Sequence, residues 1–433
     1  MNINSPKWKF RKADWAMFQS LIDNSIDGLE TPNESNACHI SMLVQNFTDV
    51  ISQAASRSIP QTRNNKQKKN VPWWNNDCEA AIKEYKHSLN VYRRHNTELN
   101  KINYRRHRAI ARKIIRQSKK QSWTNYVSKL NHNAPSSEVW KKLKHINGNL
   151  KHLDIRTVIT SDNLLISNPV DIANCFARTF ANNSSDSNFN QDFRSFKQTF
   201  LEEVSNDTRH EMSDSVPEIN VKISIGELQE SLHKCKNSSP GPDMLPNIFI
   251  KKLSIKALNY LLDLFNCIWC NNVFPKQWSE AIVVPIPKPD KNRNHIGSYR
   301  PIALTCCLCK LMERIINKRL RWFLERNRLL SIHQSGFRHR RSTLDSLVTL
   351  ESSICEAFAN RHHLIAVCLD IEKAYDMVWR DRIISIMKNF KLNGNILKFT
   401  INFLKSRSIQ VRINSTLSEK TLINNGVPQG SVL

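Results

Sequence analysis

The sequence feature that most constrains the fold is a short apolar run that ends in an acid. Residues 364–369 read LIAVCL, and Asp370 follows directly. Six apolar residues with polar flanks are typical of a strand that is buried on both faces. A carboxylate at the end of such a strand carries a large desolvation cost unless something pairs with it. The run therefore predicts a buried strand from Leu364 to Asp370, and Asp370 is either a capping or water-facing acid or a ligand for a hard cation such as Mg²⁺.

The second half of the chain alternates strand and helix patterns. Apolar side chains recur at helical spacing in 255–269, 308–323 and 383–390, whereas 281–286 is a short apolar run. We see no internal repeat. The mixture predicts an α+β or α/β fold rather than a solenoid.

The charge balance indicates a polyanionic partner. The chain has 64 Lys and Arg against 38 Asp and Glu, a formal net charge of +26. Such an excess favours nucleic acid first and an anionic membrane surface second. No apolar stretch approaches the roughly 20 residues that span a bilayer, so no membrane partner is expected. The scattered cysteines are expected to be reduced thiols of an intracellular protein, with nucleus and cytoplasm both open. The sequence leaves the oligomeric state open.

One predicted helix concentrates this charge. Residues 101–120, KINYRRHRAIARKIIRQSKK, carry nine Lys or Arg and no acid. A solvated helix is the plain alternative, but nine uncompensated charges on one helix repel one another, and a nucleic acid would relieve that repulsion. The residues expected to contact nucleic acid are Arg105, Arg106, Arg108, Arg112 and Lys113.

Two cysteine groups could suggest a metal site. Cys267 and Cys270 form a CxxC on a predicted helix, and Cys306, Cys307 and Cys309 lie close together. Neither group has a second pair or a His partner at suitable spacing, so packing in the core is the favoured interpretation.

Composition divides the chain into four parts. Residues 1–60 are predicted to be helical, 61–70 a polar linker, and 61–182 a basic and mostly helical region. Residues 183–230 are rich in Ser, Asn and Asp and predict a loop-rich boundary. Residues 231–433 form the denser last part.

Glycine is scarce, with nine in 433 residues, so its positions are informative. Four of the nine lie in short turn-like segments of the second half. The segment QSGFRHRRST carries Arg338, Arg340 and Arg341, and GVPQGSVL carries Gln429. Lys288 follows a predicted strand in IPKPDKN. Each segment alone has an ordinary explanation as a turn or a surface charge.

Their order along the chain is more specific. SSPGPDMLP, IPKPDKN, SYRPIALTCCLCKLMERII, QSGFRHRRST, LDIEKAYDMVW and GVPQGSVL follow one another from about residue 235 to the end. In this order the segments resemble the reverse transcriptases of non-LTR retrotransposons of the LINE type, in particular the jockey-like ones. PWWNNDCEAA and the basic helices resemble, less specifically, the stretch that links endonuclease and polymerase in such elements.

The resemblance implies a fold and a chemistry. Residues 231–433 would form the fingers and part of the palm of a right-hand polymerase, and 1–60 would be a helical remnant that follows a lost endonuclease. The reaction would be RNA-directed DNA synthesis by two-metal nucleotidyl transfer, with an RNA template, a DNA primer, deoxynucleoside triphosphates and two Mg²⁺ ions.

The resemblance also assigns roles to residues. Asp370 matches the first catalytic aspartate, which holds both metal ions, and the backbone carbonyl of Ile371 would be a further ligand. Tyr375 matches the aromatic steric gate against a ribose 2′-hydroxyl, and Asp376 a second, structural aspartate. The remaining matches are Lys288 and Arg300 near the triphosphate, Gln429 near nucleotide and template, and Arg338, Arg340 and Arg341 at the template.

The family's remaining metal ligands lie in a Tyr-Ala-Asp-Asp turn beyond the Pro-Gln-Gly segment. No such sequence occurs in the 433 residues. We therefore expect a truncated polymerase that lacks the second catalytic Asp pair and the thumb, binds RNA or DNA, and does not polymerise alone. Two alternatives stay open at this point: a non-catalytic nucleic-acid-binding remnant, and a mobile-intron reverse transcriptase, which shares the palm motifs.

Overall fold

The computed structural model describes residues 8–32, 37–62, 71–128, 139–140, 143, 155–160, 163–206 and 217–433. The chain divides into two compact units. Unit 1 comprises Met1–Thr62 and Ile155–Leu433, and unit 2 comprises Arg63–Asp154. The predicted linker falls almost wholly on residues 63–70, which lie outside the described residues.

The described part of the chain contains the following helices and strands. The helices are α1 (Trp15–Ile26), α2 (Ala37–Ser58), α3 (Asn76–Arg94), α4 (Glu98–Val127), α5 (Pro169–Asn183), α6 (Gln191–Asn206), α7 (Pro217–Asn220), α8 (Ile225–Lys234), α9 (Asn247–Lys251), α10 (Ile255–Cys270), α11 (Cys307–Arg326), α12 (Thr343–Ala359), α13 (Arg380–Asn389) and α14 (Asn395–Leu404). The strands are β1 (Val158–Ile159), β2 (Leu165–Ile166), β3 (Glu280–Pro287), β4 (Tyr299–Leu304), β5 (Ser408–Ile413), β6 (Thr416–Leu417) and β7 (Thr421–Leu422). This mixture confirms the prediction that helices and strands share one fold. Of the described helices, none has the length and apolarity needed to cross a membrane.

The main sheet of unit 1 is mixed. β3 pairs antiparallel with β4 and parallel with β5, and β5 also pairs antiparallel with β6 and β7. Helix α5 covers one face of this sheet, because its apolar face brings Phe176 and Phe180 against Val283 and Val411. The other large core lies among the helices, around α2, α8, α10, α11 and α14.

The N-terminal helices pack into the same unit as the sheet. Phe47 of α2 stacks on Tyr260 of α10 at a ring-centroid distance of 5.3 Å. The Tyr260 hydroxyl donates to the carbonyl oxygen of Glu30 at 2.9 Å. The predicted separate segment 1–60 is therefore a helical layer on the core of unit 1.

The structure differs from the predicted loop-rich boundary at 183–230. Helix α6 occupies Gln191–Asn206, and α8 begins at a Ser224–Glu227 capping box. Phe193, Phe196 and Phe200 recur at helical spacing on α6 and contact the ring of Trp379 edge-on. The high Ser, Asn and Asp content masked this aromatic period. Residues 207–216 lie outside the described part.

Unit 2 contains an antiparallel helical hairpin. α3 ends at Arg94, and the three residues 95–97 lead into α4, whose first turn is capped by the Thr97 hydroxyl accepting from Asn100 N at 3.3 Å. Tyr92 of α3 stacks on Tyr104 of α4 with an interplanar angle of 9°. Ser118 donates to the carbonyl of Trp73, which closes the far end of the hairpin. The predicted long basic helices are confirmed over these ranges.

Candidate nucleotide and nucleic-acid site

The β3–β4 hairpin places Lys288 and Arg300 at the same end of the sheet. Lys288 directly follows β3, and its backbone N–H donates to Ser298 O at 2.8 Å. Its ammonium donates to Gly297 O at 3.1 Å, so the side chain folds over the hairpin loop. Arg300 pairs with Ile286 in the ladder and is exposed. The hairpin thus brings two cations to one end of the sheet. Lys288 is bonded to the hairpin loop, whereas the exposed Arg300 can meet an anion.

The Pro-Gln-Gly segment lies against β4. Ala303 N donates to Gln429 O at 2.8 Å, which extends the edge of the sheet by one bond. Gly430 has φ of +134°, and a Cβ there would lie 2.4 Å from the carbonyl oxygen of Ala303. Only glycine permits this approach, so the backbone and not the side chain fixes where Gln429 sits.

The same segment holds the turn that contains Tyr375. Val427 N donates to Tyr375 O at 2.8 Å, and Gly426 N donates to Val378 O at 2.9 Å. Gly426 has φ of +80°, and a Cβ there would lie 2.5 Å from the carbonyl oxygens of both Tyr375 and Asp376. The Tyr375 side chain is 40% exposed and faces solvent from this anchored turn.

Asp376 is the acid that this arrangement buries. Burial raises the pKa of its carboxyl group, while the ammonium groups of Lys373 and Lys288 act in the opposite direction. Asp376, Arg380, Gln429 and the backbone near Gly426 line a small cavity of about 50 Å³. The structure therefore places Asp376, and not Asp370, on this cavity.

An arginine missed by the sequence analysis clamps the two segments together. Arg380 Nε donates to Gly426 O at 2.8 Å, and Nη2 donates to Asn425 O at 3.0 Å. Burial lowers the pKa of Arg380 to about 10. Asn425 in turn donates to Ser184 O at 3.0 Å and to Asp186 Oδ1 at 2.8 Å. The only signal in the sequence was the Asn-Gly dipeptide at 425–426, which marks a turn but not its partner.

The prediction of a buried strand at 364–370 is wrong. These residues are exposed and carry no strand assignment, with Ile365 88% and Leu369 92% exposed. The physical reason is that none of the described strands pairs with them. Asp370 and Ile371 are accordingly solvent-facing, and Asp370 does not line the cavity beside Gln429.

The three arginines around Gly336 differ in their surroundings. Arg338 makes a two-pronged ion pair with Glu325 of α11, at 2.9 and 2.5 Å, and also donates to Ser331 O at 2.7 Å. The Glu325 carboxylate raises the pKa of Arg338. Arg340 and Arg341 are exposed. Arg338 therefore braces the turn, and Arg340 and Arg341 carry its outward charge.

Unit 2 presents a basic face along α4. At 3.6 residues per turn, the nine cations of residues 101–120 fall within an arc of about 160°. The opposite side of α4 faces α3 through Tyr104 and Ala111, of which Ala111 is buried. A groove of about 570 Å³ lies on the basic side, and Ala109 is among its lining residues. The cations lining this groove are Arg105, Arg108, Arg112, Lys113 and Arg116.

The described residues offer few ligands for a metal ion. No group of three or more His, Cys, Asp or Glu side chains within them has the geometry to hold one. Cys267 is buried in the helical core, which confirms the prediction of packing for that residue, whereas Cys270 is exposed, so the prediction of core packing is wrong for it.

Comparison with known proteins shows which family the C-terminal third of the chain resembles. Residues 286–433 match the family described as reverse transcriptase (RNA-dependent DNA polymerase). This part of the chain is therefore similar to a reverse transcriptase domain. The matched range contains β4, the Tyr375 turn and the Pro-Gln-Gly segment, which meet at the site, and also the exposed run 364–369, which does not.

The relatives are polymerases of non-LTR retrotransposons. The chain is 36% identical over 214 residues to the probable RNA-directed DNA polymerase from transposon BS of Drosophila melanogaster, covering 49% of this chain and 23% of that protein. It is 32% identical over 212 residues to the RNA-directed DNA polymerase from mobile element jockey of Drosophila funebris, covering 49% and 23%. These matches confirm the resemblance to LINE-type, jockey-like reverse transcriptases.

A weaker match extends further along the chain. A putative 115 kDa protein in type-1 retrotransposable element R1DM of Drosophila melanogaster is 22% identical over 437 residues, covering 99% of this chain and 39% of that protein. The chain thus spans about a fifth to two fifths of the length of the relatives it matches. Its basic hairpin falls within this longer alignment.

Proposed function

We propose that residues 231–433 are the fingers and partial palm of an RNA-directed DNA polymerase and bind a deoxynucleoside triphosphate next to an RNA template and a DNA primer. The observation that carries the proposal is the meeting of three segments that are distant in sequence. Gln429 is bonded to β4, and Val427 is bonded to Tyr375, so the Pro-Gln-Gly segment bridges the β3–β4 hairpin and the Tyr375 turn.

Each residue type suits its role in such a site. Lys288 and Arg300 would balance the charge of the triphosphate. The Tyr375 ring, held by the backbone bond to Val427, would lie where a 2′-hydroxyl would otherwise project. Gln429 would contact nucleotide and template from a backbone that two close glycine contacts fix. Arg340 and Arg341 would contact the template backbone, and Arg338 would hold their turn in place.

The residues present do not fit a two-ion magnesium centre. Asp370 and the carbonyl of Ile371 would supply two oxygens for Mg²⁺, but both residues are solvent-facing, and Asp370 belongs to no group of three or more metal-ligating side chains in the described part of the chain. We therefore propose that this chain binds nucleotide and nucleic acid and does not polymerise by itself.

Nucleotide binding is tested by titrating a fluorescent dTTP analogue, with unlabelled dTTP and UTP as competitors. Lys288→Ala and Arg300→Ala are each expected to weaken binding about tenfold, the effect of losing one charge-assisted contact. Lys291→Ala, on the exposed loop of the same hairpin, is the matched control and should bind as the wild type does. Tyr375→Ala should reduce the preference for dTTP over UTP. Equal losses for Lys291→Ala and Lys288→Ala would contradict the assignment.

Polymerase activity is tested separately by primer extension on a homopolymer RNA template with Mg²⁺. We expect no incorporation by this chain. Incorporation that disappears in Asp370→Ala would refute the statement that the chain is inactive alone, and it would at the same time support Asp370 as the catalytic carboxylate.

The basic face of α4 supports a second activity, which is binding of single-stranded nucleic acid without catalysis. The quadruple change of Arg105, Arg108, Arg112 and Arg116 to Gln should weaken binding. It should also reduce the slope of log affinity against log salt concentration by about 3, since each phosphate contact contributes about 0.7 to that slope.

The matched control neutralises four exposed cations of α3 in the same hairpin, Lys83, Lys86, Arg93 and Arg94. A similar loss in both variants would mean that net charge alone, and not the face of α4, governs binding. Deleting residues 61–150 separates the two activities, because nucleotide binding by unit 1 should persist whereas a pure nucleic-acid-binding protein would lose its function.

A further inference from the structure

Unit 2 contains a second groove, next to the basic face of α4. This tryptophan groove has a volume of about 920 Å³ and is lined by residues of the segment 72–75, of α3 and of α4. Its volume lies within the range of about 300–1,000 Å³ that is typical of small-molecule sites. Two aromatic rings, Trp73 and Trp74, and several amides, among them Gln117 and Gln121, line it.

The two tryptophans are held against α4. Ser118 Oγ donates to Trp73 O at 2.5 Å, and the Lys119 ammonium lies 4.8 Å from the centre of the Trp73 ring. The Trp74 ring packs against the Trp73 ring at a centroid distance of 5.7 Å and is 40% exposed. Because its neighbour is fixed in this way, the Trp74 ring can stack on a flat ligand with little further loss of side-chain entropy.

The tryptophan groove and the groove on the basic side of α4, the basic groove, differ in charge. Five cations and no acid line the basic groove. None of the described residues that line the tryptophan groove is Lys or Arg, and two are acids, Asp77 and Glu84. A phosphate is therefore attracted to the basic groove and repelled by the tryptophan groove. A neutral ring with amino groups suits the tryptophan groove, because ionised carboxylates accept hydrogen bonds and donate none.

The two grooves meet at Gln117, which lines both of them. Lys113 of the basic groove precedes Gln117 by four residues, and side chains four residues apart are neighbours on a helix surface. Ser118, which is bonded to Trp73, directly follows Gln117. A nucleotide whose phosphate lies beside Lys113 can therefore direct its base into the tryptophan groove.

We propose that the tryptophan groove binds an unpaired nucleobase with an exocyclic amino group, in a single strand whose phosphates lie in the basic groove. Trp74 stacks on the base, and Asp77 and Glu84 accept hydrogen bonds from the amino group. The proposal rests on the second proposed activity, the binding of single-stranded nucleic acid by α4, and adds a base preference to it. Stacking on an aromatic ring tolerates every base, so the preference comes from the two acids.

Cytosine and uracil separate the two contributions, because cytosine carries an amino group where uracil carries a carbonyl oxygen. Binding of the full chain to oligo(C) and oligo(U) RNA of about 12 nucleotides is measured by fluorescence anisotropy at pH 7.5. The wild type should bind oligo(C) about tenfold more tightly than oligo(U), the effect of one hydrogen bond to a charged group. Equal affinities would overturn the base preference.

Stacking is tested by replacing the exposed ring. Trp74→Ala should weaken the binding of both oligonucleotides about tenfold, and Trp74→Phe should restore it to within about threefold. Trp140→Ala is the matched control, since Trp140 is 62% exposed and lines neither groove, and it should bind as the wild type does. Equal losses for Trp74→Ala and Trp140→Ala would overturn the assignment of the stacking ring.

The acids are tested by the ratio of the two affinities, which does not depend on net charge. Asp77→Ala combined with Glu84→Ala should reduce the preference for oligo(C) to within about twofold of equality. Glu79→Ala removes an exposed acid of α3 outside the groove and should leave the ratio unchanged. An unchanged ratio in the double variant would overturn the role of the acids. These variants keep the proposal testable if Trp74→Ala does not fold.

The dependence on salt separates this proposal from the activity on which it rests. Trp74→Ala should keep the wild-type slope of log affinity against log salt concentration, because it removes no phosphate contact. Wild-type binding by Trp74→Ala, together with weaker binding by the quadruple arginine variant, would overturn the tryptophan groove and leave the basic face in place. Wild-type binding by both variants would refute nucleic-acid binding by α4 itself. Normal binding but a lower urea midpoint for Trp74→Ala would mean that the ring serves the protein's own packing, which also overturns the proposal.

Discussion

Gly426 fixes the position of the Tyr375 turn, and replacing it by alanine measures how tightly the two segments are joined. An L-residue at the φ of +80° found here costs about 1–2 kcal/mol. The added Cβ would also lie 2.5 Å from two carbonyl oxygens, those of Tyr375 and Asp376, so the turn must move. Overpacking of this kind costs about 1–3 kcal/mol. Together the two effects lower the free energy of unfolding of unit 1 by about 2–5 kcal/mol.

The assay is urea denaturation followed by tryptophan fluorescence, with the fluorescent dTTP titration as a second measurement. Gly426→Ala should lower the urea midpoint and also weaken nucleotide binding, because Tyr375 and Gln429 no longer keep their spacing. Gly297→Ala is the matched control, since nothing lies within 4 Å of a Cβ at that position, and it should change stability by less than about 1 kcal/mol. Equal midpoints for the two variants would refute the inference that Gly426 packs against the Tyr375 turn.

Three further predictions concern buried charges. Burial raises the pKa of Asp243 to about 6. The folded chain then binds more protons than the unfolded chain between about pH 4 and 6, and stability falls as pH rises through that window. Asp243→Asn should therefore be more stable than the wild type at pH 7.5, by about 1–2 kcal/mol, and no more stable at pH 4, with unfolding measured at both. Arg380→Met removes both hydrogen bonds to the carbonyl oxygens of Asn425 and Gly426, so it should lower the free energy of unfolding by about 2 kcal/mol. Limited proteolysis at 424–430 should be faster, and an unchanged cleavage rate would contradict the clamp. Glu313 is fully buried, and its carboxylate accepts a hydrogen bond from Val432 N at 2.6 Å. Glu313→Ala should therefore lower the free energy of unfolding of unit 1, measured in urea, by about 2–3 kcal/mol. An unchanged stability would show that the Val432 N–H finds another acceptor.

Local periodicity in the sequence was sufficient to predict those helices that carry an apolar face of their own. The patterns at 255–269 and 308–323 predicted α10 and α11, whose buried residues follow those faces. The basic helix was predictable for the same reason, because α4 packs on α3, its neighbour in sequence, and not on a distant segment. The ordered motifs also predicted the similarity of residues 286–433 to reverse transcriptases, since they are a property of the sequence itself.

The sequence failed where structure depends on distant partners. The run 364–369 has the composition of a buried strand, but a strand needs a neighbour, and none of the described strands pairs with it. The clamp formed by Arg380 on Asn425 and Gly426 joins residues about 45 positions apart, and no local pattern reveals such a bond. The two-pronged pair between Arg338 and Glu325 likewise gives a structural role to a side chain that the family resemblance assigned to the template.

The three-residue connection between α3 and α4 has a consequence for the order in which the molecule assembles. The contacts within that hairpin span at most about 45 positions along the chain, whereas β3 pairs with β5 across 128 positions, from Glu280 to Ser408. Local contacts form early and long loops close late. During synthesis the positively charged hairpin can therefore fold while the residues of the sheet are still being added, so the surface proposed to bind nucleic acid would exist before the proposed nucleotide site does.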